Sequence, residues 1–269
     1  MKRGLKIIAG GIAKWLERLS LDAVLVATGW GWGLANLAGR RFNFWLISIL
    51  ALATWLTYLA DRLWDVRPGT SIPATDRHRF YAEHFRLLAG VWLLIFPFSV
   101  VFAQMVLPLW KFKIGVILVG IILIYLAFIR IRIPAVSRLL LKRVSVALIF
   151  TAGVSLIAES WRTLEALAGT GILFNGALVN LFSLPNAKVS VKGGSLRRAS
   201  RILAGTLFIA GFGIIPISMP VGAAGLTGGL LFFLNDFDRG NQAASTARLR
   251  LDGILFLMGG ILVLSTASN

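Results

Sequence analysis

The sequence lacks cysteine and is poor in acidic residues and histidine. Among 269 residues it has 11 Asp and Glu, 28 Lys and Arg and two His. Without cysteine, the chain cannot form disulfides, thiolate metal sites or cysteine nucleophiles. The two histidines, His78 and His84, share one predicted loop and have no metal-ligand motif around them. Thiol chemistry and thiolate metal centres are therefore excluded as functions.

Charged residues as a whole are also scarce. They make up 14% of the chain, whereas hydrophobic residues make up 57% and the mean hydropathy is +0.81. A soluble domain carries roughly 25% charged residues. Apolar runs long enough to cross a bilayer recur along the chain, without the alternation of barrel strands. Because backbone groups in lipid must bond within helices, this composition predicts an all-α polytopic membrane protein.

A single transmembrane domain of about nine helices is predicted over residues 21–269. The predicted spans are roughly 21–38, 43–64, 86–107, 112–130, 143–160, 166–184, 201–217, 219–235 and 252–267. The segment 219–235 is the weakest, because it is short and rich in glycine. Close helix packing is expected at the glycines at 205, 211, 213, 222, 225, 228 and 229. Residues 1–20 are predicted to form a basic amphipathic helix on the membrane surface, with no cleavable signal peptide.

The basic residues are divided unequally between the two sides of this topology. With the N-terminus in the cytoplasm, 23 of the 28 Lys and Arg fall on the cytoplasmic side. The outer side holds the other five, which are Arg40, Arg41, Lys111, Lys113 and Arg162. This bias fits the positive-inside rule and places the C-terminus outside. Topology and contact with anionic membrane lipids account for the net charge of +17, so no nucleic-acid partner is expected.

Two aspartates, Asp61 and Asp65, end the second predicted span. Residues four apart lie on one face of a helix, where like charges repel, so a cation is expected between the two carboxylates. Acids at the end of an apolar helix predict a functional site. Magnesium prefers oxygen ligands and is typically held by one or two carboxylates together with substrate phosphates. Asp61 and Asp65 are therefore candidate Mg²⁺ ligands, on the side predicted to face the cytoplasm.

Basic residues on the same side are candidates to bind an anionic substrate beside this pair. They are Arg62, Arg67, Arg77 and Arg79 nearby in sequence, with Lys142, Arg143, Lys188 and Lys192 on other predicted loops. The loop over 66–85 is the longest connection, and long loops tend to be functional. It is predicted to contain a short helix capped by Thr75 or Asp76.

The segment Thr57-Tyr58-Leu-Ala-Asp61-Arg-Leu-Trp-Asp65 carries a resemblance to a known family. It is similar to the first aspartate-rich motif of the UbiA superfamily of intramembrane prenyltransferases, which commonly reads Asn-Asp-x-x-Asp-x-x-x-Asp. The last two aspartates are kept, and Thr57-Tyr58 stands where the family has Asn-Asp. Further similarity, to a divergent bacterial branch, lies at 142–153, at Asn180 and at 238–252. The resemblance thus spans most of the chain.

The resemblance implies a fold, an activity and a set of site residues. The fold would be a bundle of nine helices with an apolar cavity that faces the cytoplasm, in a bacterial inner membrane. Asp61 and Asp65 would be catalytic and would hold Mg²⁺. The diphosphate of a prenyl diphosphate would be bound by Arg62, Arg67, Lys142, Asn180, Lys188 and Lys192. The prenyl group would pass to a lipophilic acceptor or cyclise.

The chain departs from the family at the second aspartate motif, which should follow helix six. No acid occurs between Glu165 and Asp236. Neutral oxygens of Asn180, Ser183 and Asn186 are alternative ligands, and Lys188 and Lys192 are alternative cations that neutralise the diphosphate directly. Asp236, Asp238 and Asp252 are the late acids that could approach Asp61 and Asp65.

Three alternatives to an active metal site stay open on the sequence alone. The acidic pair could be tied to Arg62, Arg67 or a basic residue of another loop, without any metal. The missing second motif is also typical of a non-catalytic relative that binds lipid or assists assembly. A transporter fits less well, because the spans themselves are almost free of ionisable residues. For Asn180 a polar contact between helices, and for Asp252 a helix-dipole or Arg248 interaction, are the simpler interpretations.

Overall fold

The computed structural model describes residues 15, 16, 18–41, 43–67, 76–128, 135–183, 194–237 and 244–267. Over these ranges the regular secondary structure consists of ten α-helices and one 3-10 helix, without a β-strand. The α-helices are α1 (Leu21–Leu37), α2 (Phe44–Asp65), α3 (Asp76–Glu83), α4 (Phe85–Val106), α5 (Leu109–Phe128), α6 (Ala135–Ala158), α7 (Leu164–Ser183), α8 (Gly194–Ile214), α9 (Met219–Phe237) and α10 (Ala244–Ala267). The 3-10 helix, Ser160–Arg162, joins α6 to α7. The predicted all-α class is confirmed.

Five of the helices are long and apolar enough to cross a membrane. They span Phe44–Asp65, Phe85–Val106, Leu109–Ala127, Leu140–Ala158 and Leu164–Ser183. The apolar part of α9, Met219–Asn235, is shorter. Large apolar side chains of α4 and α5 are exposed, for example Leu94 at 75% and Met105 at 81%. Such a surface is typical of a protein embedded in lipid. Each predicted span coincides with one long helix, but the crossing of all nine stays a prediction.

The short helix predicted in the loop after α2 is present as α3, which begins at Asp76. Tyr81 of α3 is almost fully buried against Leu59 and Leu63 of α2 and Leu88 of α4. Its hydroxyl lies 3.4 Å from the hydroxyl of Ser20, just before α1. Thus α3 covers the end of α2 where Asp61 and Asp65 lie. The predicted surface helix over 1–20 lies mostly outside the described residues.

The main core contains buried apolar residues of α1, α2 and α6 to α10, and within it α1 packs against α10. Trp30 is fully buried, and its indole N–H donates to the carbonyl of Leu255 at 2.8 Å. A Cβ at Gly33 would lie 2.6 Å from the Cβ of Leu262, so this glycine sets the close approach of the two helices. Trp30 therefore fills its site without leaving its polar group unpaired.

Helices α8 and α9 also pack closely through glycine. A Cβ at Gly211 would lie 2.5 Å from the backbone nitrogen of Leu226 and 2.7 Å from the carbonyl carbon of Gly225. The predicted role of glycine in packing is confirmed here and at Gly222, Gly228 and Gly229. At Gly205 and Gly213 it is wrong for the part of the chain that the structure describes, because a Cβ there meets no atom of that part within 4 Å.

We expect Gly211→Ala to lower the free energy of unfolding by about 1–3 kcal/mol, because backbone atoms cannot yield to the added methyl group. The matched control is Gly213→Ala on the same helix, where the methyl group has open space. That control should be neutral or stabilising by up to ~1 kcal/mol through helix propensity. Unfolding of both purified variants in detergent measures the difference. Equal stability of the two variants would contradict the packing of α8 on α9.

Polar contacts gather at two ends of the bundle. The acidic-pair end is the end where α2 and α7 end and α6, α8 and α10 begin. There, Asp61 of α2 contacts Lys142 of α6. The Glu159 end is the opposite end, where α1 and α6 end and α5 and α7 begin. There, the hydroxyl of Thr163, just before α7, donates to the carbonyl of Leu37 at the end of α1.

Candidate functional site

The two aspartates at the end of α2 share a cation from another helix. The ammonium of Lys142 on α6 lies 3.1 Å from Oδ1 of Asp61 and 3.4 Å from Oδ2 of Asp65. The carboxylates are mostly shielded from solvent, with 18% and 27% of their side chains exposed. Because repulsion between them is offset by Lys142, the predicted need for a cation is met by the chain itself. The sequence-based alternative of a pair tied to a basic residue is thus present in the structure.

A second cation, Arg62, lies beside the same carboxylates. Its Nη1 is 3.8 Å from both Asp61 Oδ2 and Asp65 Oδ2, and the residue is 9% exposed. Its Nε has no hydrogen-bond partner among the described groups. A buried guanidinium N–H without a partner is costly, so this group is suited to bind an anion.

His78 of α3 is the third group beside the pair, with Nε2 4.0 Å from Asp65 Oδ2. Burial lowers the pKa of His78, and the neighbouring charges of Arg62 and Arg77 add to this effect. The nearby carboxylate of Asp65 acts to raise the pKa of His78 but does not reverse the change. His78 is therefore neutral near pH 7, and Lys142 and Arg62 carry the compensating positive charge.

The other predicted diphosphate-binding residues lie elsewhere or outside the described part of the chain. The guanidinium of Arg67 lies 4.9 Å from the centre of the Trp64 ring, which is a cation–π contact. Arg143 is buried and donates to the carbonyl of Phe182 at 3.2 Å, near the end of α7. Lys188, Lys192 and Asn186 lie outside the described residues, as do Asp238 and the side chain of Asp236.

Asn180 contacts a late acid rather than the acidic pair. Its Nδ2 donates to Oδ1 of Asp252 at 2.7 Å, which joins α7 to α10. Asn180 is 4% exposed, so this hydrogen bond satisfies an otherwise buried amide. The interpretation of Asn180 as a polar contact between helices is confirmed.

Asn180 and Asp252 face a narrow cavity that reaches towards the acidic pair. It has a volume of about 30 Å³. Its wall includes Tyr58, one turn before Asp61, and the apolar residues Phe150 and Leu255. This volume holds about one water molecule and not a prenyl chain. The larger apolar cavity implied by the family resemblance stays a prediction.

The acids do not converge on one metal position in the described part of the chain. No group there contains three or more His, Cys, Asp or Glu residues placed to hold a metal ion. Asp61 and Asp65 alone fit a single Mg²⁺ completed by water and phosphate oxygens. The same oxygens contact the ammonium of Lys142, so a bound metal ion would displace that ammonium.

Tyr125 of α5 is a further polar residue near the acidic pair, and the sequence reasoning missed it. Its hydroxyl is shielded from solvent, has no hydrogen-bond partner among the described groups, and lies within electrostatic range of Asp61 and Asp65. The available signal was its isolation, since it is one of three tyrosines and the only one within the span 112–130. Tyr58 and Tyr81, the other two, also lie at the acidic-pair end.

Comparisons of the chain with protein-family models, curated proteins and solved structures find no significant match. The resemblance to the UbiA superfamily therefore rests on the quoted residues alone. Membership of that family is a proposal, and so is every activity that it implies.

Proposed function

We propose that this protein is a membrane-embedded prenyltransferase of the UbiA type, acting on a prenyl diphosphate and a lipophilic acceptor. The proposal is carried by the convergence of Asp61 and Asp65 on α2 with Lys142 on α6. Carboxylates beside basic groups, at the polar end of apolar helices, suit a diphosphate whose hydrocarbon chain extends into the bundle. All nine long helices would cross a bacterial inner membrane, with the acidic-pair end in the cytoplasm.

The roles of the residues follow from their positions. Asp61 and Asp65 would hold one Mg²⁺, which supplies charge neutralisation for the departing diphosphate. Lys142, released from the carboxylates, would bind phosphate oxygens together with Arg62. The hydroxyl of Tyr125 would donate a hydrogen bond to the same oxygens. Cleavage of the C–O bond to diphosphate would leave an allylic cation, and the acceptor would form a bond to this cation and release a proton.

In this proposal, Arg62 and Lys142 supply positive charge beside the diphosphate, because the chain lacks the second aspartate motif. Since no acid occurs between Glu165 and Asp236, fixed cations would supply the remaining positive charge. Both are near the pair, and Arg62 is buried with an unpaired Nε. The prenyl chain also needs more room than the cavity beside Tyr58 provides, so binding must separate the helices around it.

The second candidate function is that of a non-catalytic lipid-binding or assembly protein. The specific observation in its favour is that Lys142 and Arg62 together already balance the charges of both carboxylates, so the pair does not need a metal. In that case, the ion pairs of Lys142 with Asp61 and Asp65 only stabilise the packing of α2 against α6. Mg²⁺ would then have no effect on the binding of a prenyl diphosphate.

Lys142→Met separates these two functions. Under the prenyltransferase proposal, the variant should bind a prenyl diphosphate at least about 10-fold more weakly in the presence of Mg²⁺, which is about 1.4 kcal/mol. It should bind Mg²⁺ alone more tightly, because the competing ammonium is gone. Titration calorimetry of the full chain in nanodiscs measures both effects.

The matched control is Lys113→Met, at an exposed lysine of the Glu159 end. It should change neither affinity. If Lys142→Met leaves both affinities at the wild-type values and the protein remains folded, Lys142 is a structural tie and the non-catalytic function is favoured.

A further inference from the structure

A second concave surface lies between α9 and α10, apart from the acidic pair. It is an open groove of about 580 Å³, within the size range of ligand sites in proteins. Most of its lining is apolar, and includes Leu231, Leu234, Ile254, Phe256 and Leu257. Its polar lining is Asn235 of α9 and Arg250 of α10. The groove therefore combines an apolar wall with two groups that can bind an anion.

The polar and apolar parts of the groove lie at different depths. Arg250 and Asn235 are close to the acidic-pair end, where α10 begins and α9 ends. Leu257 follows Arg250 by seven residues, and Leu231 precedes Asn235 by four, so the apolar wall extends roughly 6–10 Å deeper along the helices. This order, polar at the mouth and apolar below it, matches a lipid with its headgroup at the membrane surface.

Two details of the lining point to an occupant. Asn235 lines the groove, and its Nδ2 has no hydrogen-bond partner among the described groups. Gly253 forms the floor of the groove and leaves space above it, because a Cβ added there meets no atom of the described residues within 4 Å. An unsatisfied donor beside an open apolar floor is compensated when a ligand brings both an acceptor and a hydrocarbon chain.

We propose that this groove binds one anionic glycerophospholipid. An acyl chain lies along Leu231, Gly253 and Leu257, and the headgroup phosphate lies between Arg250 and Asn235. A negative headgroup is favoured over a zwitterionic one because Arg250 stands at the mouth. The proposal rests on the membrane placement given above and is independent of prenyl transfer.

Lipid retention by the full chain tests this site. Native mass spectrometry of the detergent-solubilised protein, titrated with phosphatidylglycerol or phosphatidylcholine of equal chain length, should show at least about 10-fold tighter retention of phosphatidylglycerol.

Gly253→Leu fills the floor and should abolish the retained lipid. Gly260→Leu is the matched control on the same helix, also with open space at its Cβ, and should retain it. Arg250→Gln should remove the preference for the anionic headgroup but keep the binding of the acyl chain.

Two results would overturn the proposal. One is equal retention of the two lipids by the wild type. The other is unchanged phosphatidylglycerol retention by Gly253→Leu, with a melting temperature equal to that of Gly260→Leu. Neither result bears on prenyl diphosphate turnover, so failure of this site and failure of the proposed function are distinguishable.

Discussion

Replacing Asp61 and Asp65 together by asparagine should lower kcat/KM for prenyl transfer at least about 1,000-fold, which is about 4 kcal/mol of transition-state stabilisation. Asparagine keeps the size of each side chain but removes the charges that would hold Mg²⁺. Among the described residues, no third His, Cys, Asp or Glu is placed to hold a metal ion together with the pair. Labelled prenyl diphosphates with quinone or polyol acceptors, supplied to nanodiscs with Mg²⁺, measure the turnover.

A matched control for this experiment is Glu83→Gln, at an exposed acid of α3 at the same end of the bundle. It should leave turnover at the wild-type value. The double variant also leaves Lys142 and Arg62 without their carboxylates, so its melting temperature must be recorded. A folded Asp61→Asn, Asp65→Asn protein with wild-type turnover would rule out the proposed mechanism.

The second large effect is expected at Glu159, which is 3% exposed and lies at the opposite end. Its carboxylate contacts the buried Lys111 at 2.7 Å, Arg40 at 3.0 Å and also Arg162. Removing one partner of a buried ion pair leaves an uncompensated charge. Glu159→Gln should therefore lower the free energy of unfolding by about 3–5 kcal/mol. Unfolding in detergent measures the loss.

Two comparisons separate this effect from general damage at the Glu159 end. Glu165→Gln, at an exposed acid of α7, should change stability by less than about 0.5 kcal/mol. Adding Lys111→Met to Glu159→Gln removes the orphaned buried charge and should recover part of the loss. A single Glu159→Gln variant as stable as Glu165→Gln would contradict the ion cluster.

Acid should have a similar effect on the wild type. Burial acts to raise the pKa of Glu159, but the hydrogen bond and charge of Lys111, with Arg162 and Arg40, outweigh it, so the pKa is lowered from 4.5. A carboxyl group with a lowered folded-state pKa contributes stability that is fully present above its unfolded pKa. That contribution is lost as the pH falls below about 4.5 through the folded-state pKa. The Glu159→Gln, Lys111→Met variant should lack this part of the acid dependence.

Helix positions could be predicted from the sequence because they depend on local composition. Each predicted span coincides with a long helix, and Asn43, at the predicted start of the second span, caps α2 by accepting from the backbone N–H of Leu46. The need for a cation at Asp61 and Asp65 was also predictable, since it follows from helix geometry. The sequence did not show which basic residue supplies that cation, because Lys142 was one of several candidates and is 77 residues away from Asp65 in the chain.

Contacts between distant helices were not predictable in the same way. Arg40 and Lys111 were assigned to the outer side as exceptions to the charge bias, with no sign that both contact Glu159. Asn180 and Asp252 were each identified as candidates, but their hydrogen bond depends on how α7 packs on α10. Tyr125 was missed because a single tyrosine in an apolar span has no periodic or spacing signal. These pairings depend on tertiary packing, which a single sequence does not reveal.

We propose that Asp61, Asp65 and Lys142 form a prenyl diphosphate site that depends on Mg²⁺. Equilibrium binding of a prenyl diphosphate to the wild-type protein in nanodiscs, measured with Mg²⁺ and with a chelator, tests it most directly. We expect at least about 10-fold tighter binding with Mg²⁺, and no such difference in the Asp61→Asn, Asp65→Asn variant. Equal affinity of the wild type in both conditions, or no binding in either, would contradict the claim.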